Sequence, residues 1–417
     1  MIMEHVLKSK GYEKVSIGEA EWIIINTCAV KQQTENKIKH RFKELEEAYG
    51  ADQKRQIIIA GCFPYVSSQY IDIVKEYIPS FAAIIGLDNI HQLPTIFQKV
   101  QQKEKGVILP SKEKIDKSQF VLELPPGKLT GIVPISEGCL GRCTYCCVKN
   151  ARGNLFCYDP KNIVRNTKHQ LSQGIKQIYL TSQDCSIYEY NGFSLEDLIT
   201  KISNLDYEFF LRLGMVNPRF LIDHLDQLLS IFKLENVYQF LHIPIQSASD
   251  NVLKKMRRPY LKSDIVDKIA ILREKLPNLT ISTDIICGFP SETEYDFYKT
   301  INFIKWLRPE ILNISKYTMR PDTLAKNMEQ IDSRVIKERS IRLSRVYWML
   351  IEGMNEKWVG WRGKALLLHR TKKSGQIFGR NYAYKNIFLT NEKLRVGSFV
   401  KVEITKVEGY NLYAKSI

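Results

Sequence analysis

One short segment, Gly138-Cys139-Leu-Gly-Arg-Cys143-Thr-Tyr145-Cys146, indicates both the chemistry and the fold of this chain. Three thiolates at the spacing C-x3-C-x2-C can hold one face of an iron–sulfur cubane and leave the fourth iron without a protein ligand. An open iron can chelate the amino and carboxylate groups of S-adenosylmethionine (SAM) and pass an electron to its sulfonium. We therefore expect Cys139, Cys143 and Cys146 to hold a catalytic [4Fe–4S] cluster.

A zinc site is the alternative interpretation of these cysteines. Structural zinc usually takes four ligands, often from paired C-x-x-C units. Cys147 could supply a fourth thiolate, but it directly follows Cys146, which is poor geometry for a tetrahedral site. The cluster is the preferred interpretation, and zinc stays as the alternative.

Residues 129–356 are predicted to form a parallel barrel, because six strand-like runs are each followed by an amphipathic stretch. The runs lie near Ile132–Glu137, Lys176–Ser182, Glu208–Val216, Val237–Gln246, Leu279–Cys287 and Ile311–Thr318. Six βα units of this length favour an open (β/α)6 barrel rather than a closed one of eight. The cysteine segment follows the first strand, where βα loops form active sites.

Polar side chains are expected at the mouth of this barrel. Gln183 and Asp184 end the second strand, Arg212 lies in the third, Gln246 ends the fourth and Asp284 lies in the fifth. Since parallel strands present their carboxyl ends at one face, we predict that this set binds the cofactor. Taken singly, each of these side chains could equally be structural.

The first region, residues 1–105, alternates short apolar runs with helical stretches, which predicts a small doubly wound, flavodoxin-like α/β domain. Cys28 and Cys62 each follow one of these runs. The carboxyl ends of parallel strands line one crevice, so the two thiols are expected to lie close together. The alternative is a pair of small buried cysteines. Residues 106–128 are polar and contain Pro and Gly, and are predicted to be a linker.

The last region, residues 357–417, is predicted to be a small all-β barrel that binds RNA. It carries 13 basic and 3 acidic residues, hence +10 of the total formal charge of +16. Basic side chains bind phosphates, and aromatic rings can stack on unpaired bases. Phe388 and Phe399 are expected in the barrel core instead. The basic residues predicted to contact RNA are Arg362, Lys364, Arg370, Lys372, Lys373, Arg380 and Lys385.

Over nearly its whole length the chain resembles the methylthiotransferase family of radical SAM enzymes, with a C-terminal domain similar to the TRAM RNA-binding domain. The Ser-Gln-Asp and Arg-Leu-Gly-Met stretches are most similar to the archaeal and eukaryotic tRNA branch. The matching segments are the cysteine motif, Asn26-Thr-Cys28-Ala-Val, Ala60-Gly-Cys62-Phe, Thr181-Ser-Gln-Asp184, Arg212-Leu-Gly-Met215-x-Asn-Pro218, His242-Ile-Pro-Ile-Gln-Ser247 and Thr283-Asp-Ile-Ile-Cys-Gly-Phe-Pro290-Ser-Glu292.

The resemblance implies an enzyme that converts N6-threonylcarbamoyladenosine, next to the tRNA anticodon, to its 2-methylthio derivative. It implies a radical SAM cluster, SAM, a second, auxiliary [4Fe–4S] cluster on Cys28 and Cys62, and Tyr145 near the SAM adenine. The tRNA anticodon loop and an electron-donor protein are the implied partners. Other family members act on isopentenyladenosine or on a ribosomal protein, and a non-catalytic iron–sulfur RNA-binding protein is a further alternative.

The beginning of the chain departs from the family pattern. That pattern supplies a third auxiliary cysteine after an initial strand, whereas this chain starts with Met1-Ile-Met-Glu-His, in the helix that should follow. We expect a truncated start, which leaves the third ligand open. The alternatives are a cluster held by two thiolates, or a third thiolate from Cys157 or Cys185, which lie outside the first domain. No stretch approaches the about 20 apolar residues of a membrane span. A cytoplasmic protein without membrane contact is therefore expected.

Overall fold

The computed structural model of the protein describes residues 2–28, 32–102, 106–109 and 113–417. The chain divides into two compact units. The first unit comprises Met1–Glu123, Glu137–Tyr158 and Thr318–Asn327, and the second comprises Leu124–Ser136, Asp159–Tyr317 and Met328–Ile417. The cysteine segment therefore belongs to the same unit as the N-terminal region.

A four-stranded parallel sheet forms the centre of the first unit, with the strand order β1-β2-β3-β4. This confirms the predicted α/β domain. Its strands are β1 (Trp22–Thr27), β2 (Gln56–Gly61), β3 (Phe81–Ile85) and β4 (Val107–Leu109), and its helices are α1 (Ile2–Lys8), α2 (Gln32–Tyr49), α3 (Gln69–Tyr77) and α4 (Leu93–Gln101).

Helices cover both faces of this sheet. Phe42 of α2 and Val74 of α3 are fully buried in the core on one face. Phe97 of α4 packs in the core on the other face, where its ring stacks on Trp22 at a centroid distance of 3.8 Å. Because β2 is covered on both sides, the residues Ile57–Ile59 form a continuous apolar run rather than an alternating one.

Short elements precede and follow the cysteine segment along the chain. They are β5 (Thr130–Pro134), β6 (Ser136–Glu137), α5 (Val148–Arg152) and β7 (Phe156–Cys157). The segment predicted as a linker carries β4 and one turn of 3-10 helix, Lys117–Gln119, in which Lys117 and Ser118 are buried.

Six parallel strands form the partial barrel of the second unit and follow one another in chain order. Two three-stranded sheets, β5-β8-β11 and β12-β13-β14, are joined by the parallel bridges Leu211–Val237 and Met215–His242. The predicted (β/α)6 architecture is confirmed. Its elements are α6 (Pro160–Ser172), β8 (Gln177–Thr181), β9 (Glu189–Tyr190), β10 (Phe193–Ser194), α7 (Leu195–Ser203), β11 (Phe210–Arg212), α8 (Pro218–Asp223), α9 (Leu225–Lys233), β12 (Phe240–His242), α10 (Asp250–Lys255), α11 (Lys262–Lys275), β13 (Thr280–Cys287), α12 (Glu294–Leu307), β14 (Ile311–Lys316) and α13 (Ser333–Met354).

The C-terminal strands close into a five-stranded barrel in the order β15-β16-β17-β19-β18, as predicted. Alternate residues such as Leu367, Ile377, Ile387 and Leu412 fill its core. The strands are β15 (Arg362–Arg370), β16 (Gln376–Asn381), β17 (Asn386–Thr390), β18 (Phe399–Glu408) and β19 (Asn411–Ser416).

Three predictions for this barrel are wrong. Phe388 lies half-buried on the outer face, because the neighbouring Ile387 and Leu389 point into the core and side chains alternate along a strand. Lys385, predicted to contact RNA, is buried, and its ammonium donates to Asn355 Oδ1 at 3.0 Å. Phe399 was also expected in the barrel core, but it lies half-buried on the outer face, with its ring 5.4 Å from that of Phe210, because the neighbouring Val400 packs against the core.

Candidate active site

Glycine shapes the start of the cysteine segment in the first unit. Gly138 has a left-handed φ of +79°, and a Cβ on it would lie 2.0 Å from the carbonyl oxygen of Asn154. Cys139 donates its N–H to the carbonyl of Gly153, and Cys146 donates to that of Cys143 at 3.2 Å. The segment therefore closes against its own end as a compact loop, which only glycine at 138 permits.

A second glycine lies between the first two thiols. Gly141 N–H donates to Cys139 Sγ at 3.2 Å. A Cβ at Gly141 would lie 3.2 Å from Cys139 Sγ and 3.8 Å from Cys143 Sγ. Lys149 of α5 donates to the Gly141 carbonyl at 3.2 Å and so fixes the turn. The loop thus leaves space beside both sulfurs at the position where a side chain would intrude.

The donor set of this loop fits an iron–sulfur cluster. Cys139, Cys143 and Cys146 are all partly accessible. Burial raises the pKa of the Cys146 thiol to about 11, and the neighbouring Cys143 and Cys147 add to the rise. Within the described ranges, no three His, Cys, Asp or Glu side chains converge on the position of one metal ion. In a cubane each thiolate binds a different iron, so its ligands surround the cluster rather than meet at a point.

Cys28 and Cys62 are brought together at the ends of β1 and β2. Cys62 N–H donates to Thr27 O at 3.1 Å, and Thr27 Oγ1 donates to Ala60 O at 2.7 Å. Gly61, with φ +106°, allows this approach, because a Cβ there would lie 2.3 Å from Thr27 O. Cys28 is exposed and Cys62 is buried. The two thiols therefore share one end of the sheet, as the strand positions predicted.

A buried charged network surrounds Cys62. Burial raises the pKa of the Cys62 thiol, and Arg152, which hydrogen-bonds to it, opposes the rise. Arg152 also interacts with the buried carboxylate of Glu137. Glu137 is paired with Lys117, which lies 3.1 Å from Asp88. Arg152 thus connects Cys62 with the helix that follows the cysteine segment.

Cys147 has a similar guanidinium partner. Arg320 Nε donates to Cys147 Sγ at 3.4 Å, and the same guanidinium pairs with the buried Glu35. Tyr70 donates its hydroxyl to Glu35 at 2.9 Å. The contacts of Cys147 are therefore with the core and with Arg320.

Within the second unit, the predicted barrel residues Asp184 and Asp284 have separate polar contacts. Asp184 is buried, which raises its pKa, and it accepts hydrogen bonds from Ser186 in its own loop. Gln246 has a left-handed φ of +73°, and its N–H donates to Asp284 O at 2.7 Å. Asp284 Oδ2 lies 2.6 Å from His242 Nε2, and both side chains are about one-quarter exposed. His242 and Asp284 therefore form one polar pair, and the backbone of Gln246 is held beside that of Asp284.

Arg212 lies in an aromatic cage. Its guanidinium carbon is 5.0 Å from the ring centroid of Tyr179, 4.6 Å from that of Phe240 and 5.1 Å from that of Tyr384. Tyr384 belongs to the C-terminal barrel, and its hydroxyl is 2.8 Å from that of Tyr179. Arg212 Nε is buried without a hydrogen bond to any described residue. Arg212 thus contacts the C-terminal barrel, and its binding of the cofactor stays a prediction.

The basic residues of the C-terminal barrel differ in their contacts. Arg362 pairs with Glu403 at 3.2 Å, and Lys364 pairs with Glu208 at 3.1 Å. Arg370 donates to the carbonyls of Glu392 and Leu394. Arg380 stacks on Tyr384 with its guanidinium carbon 3.7 Å from the ring centroid. Lys372 and Lys373 are exposed in the turn between β15 and β16.

Comparisons with known proteins agree with this arrangement. A family model described as the radical SAM superfamily matches residues 133–304, and one described as the uncharacterized protein family UPF0004 matches residues 1–86. The probable threonylcarbamoyladenosine tRNA methylthiotransferase of Pyrococcus horikoshii is 36% identical over 93% of this chain and 89% of its own. The human threonylcarbamoyladenosine tRNA methylthiotransferase is 33% identical over 95% of this chain and 68% of its own. This chain belongs to the threonylcarbamoyladenosine tRNA methylthiotransferase family.

Solved structures similar to this methylthiotransferase share its fold. The radical S-adenosylmethionine methyltransferase TsrM from Kitasatospora setae, with cobalamin and a [4Fe–4S] cluster bound, has a TM-score of 0.58 and 12% identity, over 78% of this chain and 73% of that chain. The cobalamin-dependent SAM radical enzyme OxsB has a TM-score of 0.50 and 13% identity, over 80% of this chain and 48% of that chain. In the described part of the methylthiotransferase, no helix has the length and apolar character to cross a membrane.

His242, Arg152 and Glu137 of this methylthiotransferase were not predicted from the sequence. His242 could have been found from strand register, because it pairs with Ser282, two residues before Asp284 on the neighbouring strand. No local pattern identifies Arg152 or Glu137, because their partners Cys62 and Lys117 are far away in sequence.

Proposed function

We propose that this chain is a tRNA methylthiotransferase that converts N6-threonylcarbamoyladenosine at position 37 to 2-methylthio-N6-threonylcarbamoyladenosine. One observation carries the proposal. A 36% identity to a relative of that name extends over 93% of the chain, and the C-x3-C-x2-C loop lies within the radical SAM match. Relatives named for the same reaction are found in both archaea and eukaryotes.

Cys139, Cys143 and Cys146 would hold the radical SAM cluster, and the Gly141 turn keeps their sulfurs free of side-chain intrusion. When bound, the cluster supplies the electron that cleaves SAM to methionine and a 5′-deoxyadenosyl radical, which takes a hydrogen atom from C2 of the adenine. The role of the chain is to orient SAM and the base and to exclude water from the radical.

The barrel residues would orient SAM. We assign the polar contacts to Gln183, Gln246 and Asp284, with His242 fixing the Asp284 carboxylate. Asp184 shapes the loop that carries Gln183, because its carboxylate accepts hydrogen bonds from Ser186. Tyr145, half-buried next to the third thiol, offers an aromatic face to the adenine. Arg212 completes the assigned set.

Cys28 and Cys62 would hold the auxiliary [4Fe–4S] cluster, which would supply the sulfur of the new C2 substituent, with a second SAM as the source of its methyl group. Their shared position at the end of the sheet supports this assignment. The guanidinium of Arg152 would offset the negative charge of a Cys62 thiolate in its buried surroundings.

The implied partners are the tRNA anticodon loop and an electron-donor protein, and we place the reaction in the cytoplasm, where such a donor can reduce the cluster. Within the C-terminal barrel, Lys372 and Lys373 are exposed in the turn between β15 and β16, where they could contact phosphates. Arg362, Lys364, Arg370 and Arg380 complete the proposed RNA-binding set. A target base must leave the stack to reach a reactive centre, and an unpaired loop lowers the cost of that step.

Mass spectrometry of tRNA nucleosides from a deletion strain tests the proposed substrate. We expect 2-methylthio-N6-threonylcarbamoyladenosine to disappear and N6-threonylcarbamoyladenosine to accumulate. The parent gene should restore the product, and a Cys143→Ala gene should not. An unchanged level of the 2-methylthio product, or a loss confined to methylthiolated isopentenyladenosine, would refute the proposal.

A further inference from the structure

A row of rings crosses the outer face of the C-terminal barrel. Strand pairing places His369 of β15 opposite Phe378 of β16, Phe378 opposite Phe388 of β17, and Phe388 opposite Tyr413 of β19. Lys406 of β18 lies opposite Tyr413 at the end of the row. Four ring-bearing side chains thus stand side by side on four successive strands.

The rings of this row are in contact and accessible. Centroid distances are 4.8 Å for His369 and Phe378, 5.4 Å for Phe378 and Phe388, and 5.8 Å for Phe388 and Tyr413. His369 is exposed, and the other three rings are half-buried. The barrel core does not account for them, because it is filled by the alternate side chains of the same strands.

Positive charge surrounds the row. Arg380 places its guanidinium carbon 5.4 Å from the Phe378 ring centroid, and Lys372 and Lys373 are exposed in the turn that joins His369's strand to Phe378's. Lys406 and Lys415 flank Tyr413, although each also contacts a glutamate. Aromatic faces bordered by cations are suited to single-stranded nucleic acid, whose unpaired bases stack while its phosphates meet the basic groups.

We propose that His369, Phe378, Phe388 and Tyr413 form a stacking platform for unpaired bases of the tRNA substrate. The platform rests on the proposed function and adds to it, since it says that the C-terminal barrel binds unpaired bases of the tRNA. Double-stranded stems hide the faces of their bases, so the row selects a loop or a single-stranded end.

Binding of tRNA to the full-length protein, measured by fluorescence anisotropy, tests the platform. Stacking contributes about 1–3 kcal/mol per base, so we expect Phe388→Leu and Phe378→Leu to weaken binding by about five- to 150-fold each. Leucine keeps the apolar bulk but lacks the flat face. Because no charge is removed, the dependence of the affinity on salt should stay unchanged. Tyr295→Leu is the matched control, since Tyr295 is exposed beside Lys299 on α12, outside the row.

A second measurement separates stacking from structural support. A tRNA carrying 2-aminopurine in its anticodon loop or at its 3′ end should lose fluorescence on binding the parent protein and less on binding Phe388→Leu. Variants that melt at lower temperature but bind tRNA as the parent does would show that the rings only support the sheet, and would overturn the inference. SAM cleavage without tRNA should be unchanged in these variants. A parent protein that does not bind tRNA would refute both the proposed substrate and the platform. A parent and variants that bind tRNA equally well would refute the platform alone.

Discussion

The spacing of the cysteine sulfurs depends on Gly141, where a single added methyl group would lie 3.2 Å from one sulfur and 3.8 Å from another. Forcing a methyl group into so tight a space costs about 1–3 kcal/mol. We expect Gly141→Ala to fold normally but to lose its cluster to a chelator roughly five- to 150-fold faster than the parent. The measurement is the decay of the cluster absorption under anaerobic conditions.

Gly353→Ala is the control for this variant. Gly353 lies in α13, and nothing stands within 4 Å of its Cβ position. Alanine there should raise helix stability by about 1 kcal/mol or less and leave cluster loss unchanged. Equal rates of cluster loss in Gly141→Ala and the parent would show that the Gly141 turn does not set the space around the sulfurs.

At the level of single residues, the sequence predicts what spacing determines. Local spacing predicted the cysteine loop as a cluster site, and the ends of two parallel strands predicted that Cys28 and Cys62 lie close together. The partners of Arg152 and Arg320 could not be predicted, because each contact joins segments that meet only after folding.

Among the elements, the turn between β16 and β17 carries the buried Lys385. Burial lowers its pKa to about 8 from a usual value near 10.5. The folded protein therefore holds fewer protons than the unfolded chain between pH 8 and 10.5, so the stability contributed by this site rises as pH increases through that window. At one pKa unit per about 1.4 kcal/mol, the rise is of the order of 3 kcal/mol.

Lys385→Met removes this titration. We expect the free energy of unfolding of the parent, relative to that of the variant, to increase as pH increases from 8 to 10. Denaturant titration of both proteins measures this difference. A difference between the two proteins that stays constant over this range would mean that Lys385 keeps an ordinary pKa.

Elements were predicted more securely than their faces. The six barrel strands and the C-terminal strands follow from apolar runs, because burial on parallel and closed sheets leaves a strong pattern. Phe388 of β17 was predicted to face the core but lies on the outer face. Its residue type does not decide between the two, since an aromatic side chain can fill a core or stand in an exposed row. The Arg212 cage was also beyond prediction, because it needs Tyr384 from a distant strand connection.

For the whole molecule, the concentration of charge in the last 61 residues predicts electrostatic binding of RNA. Each phosphate contact contributes about 0.7–0.9 to the slope of log affinity against log salt. Replacing Lys372 and Lys373 with alanine should therefore reduce that slope by about 1.5 and weaken tRNA binding at low salt. Filter binding at several salt concentrations measures it.

Lys10 and Lys54 are exposed in the first unit and provide the matched double variant. Their replacement removes the same charge and should leave the slope unchanged. An equal reduction in both double variants would show that only net charge matters, without a defined contact at the turn between β15 and β16.

Whether the cysteine loop cleaves SAM is decided by measuring 5′-deoxyadenosine formation by anaerobically reconstituted, dithionite-reduced protein supplied with SAM. We predict that the parent forms 5′-deoxyadenosine and methionine and shows a cubane absorption that Cys139→Ala, Cys143→Ala and Cys146→Ala each abolish together with the product. A parent protein that cleaves no SAM, or a cluster spectrum unchanged by these three replacements, would mean that this loop does not hold a radical SAM cluster.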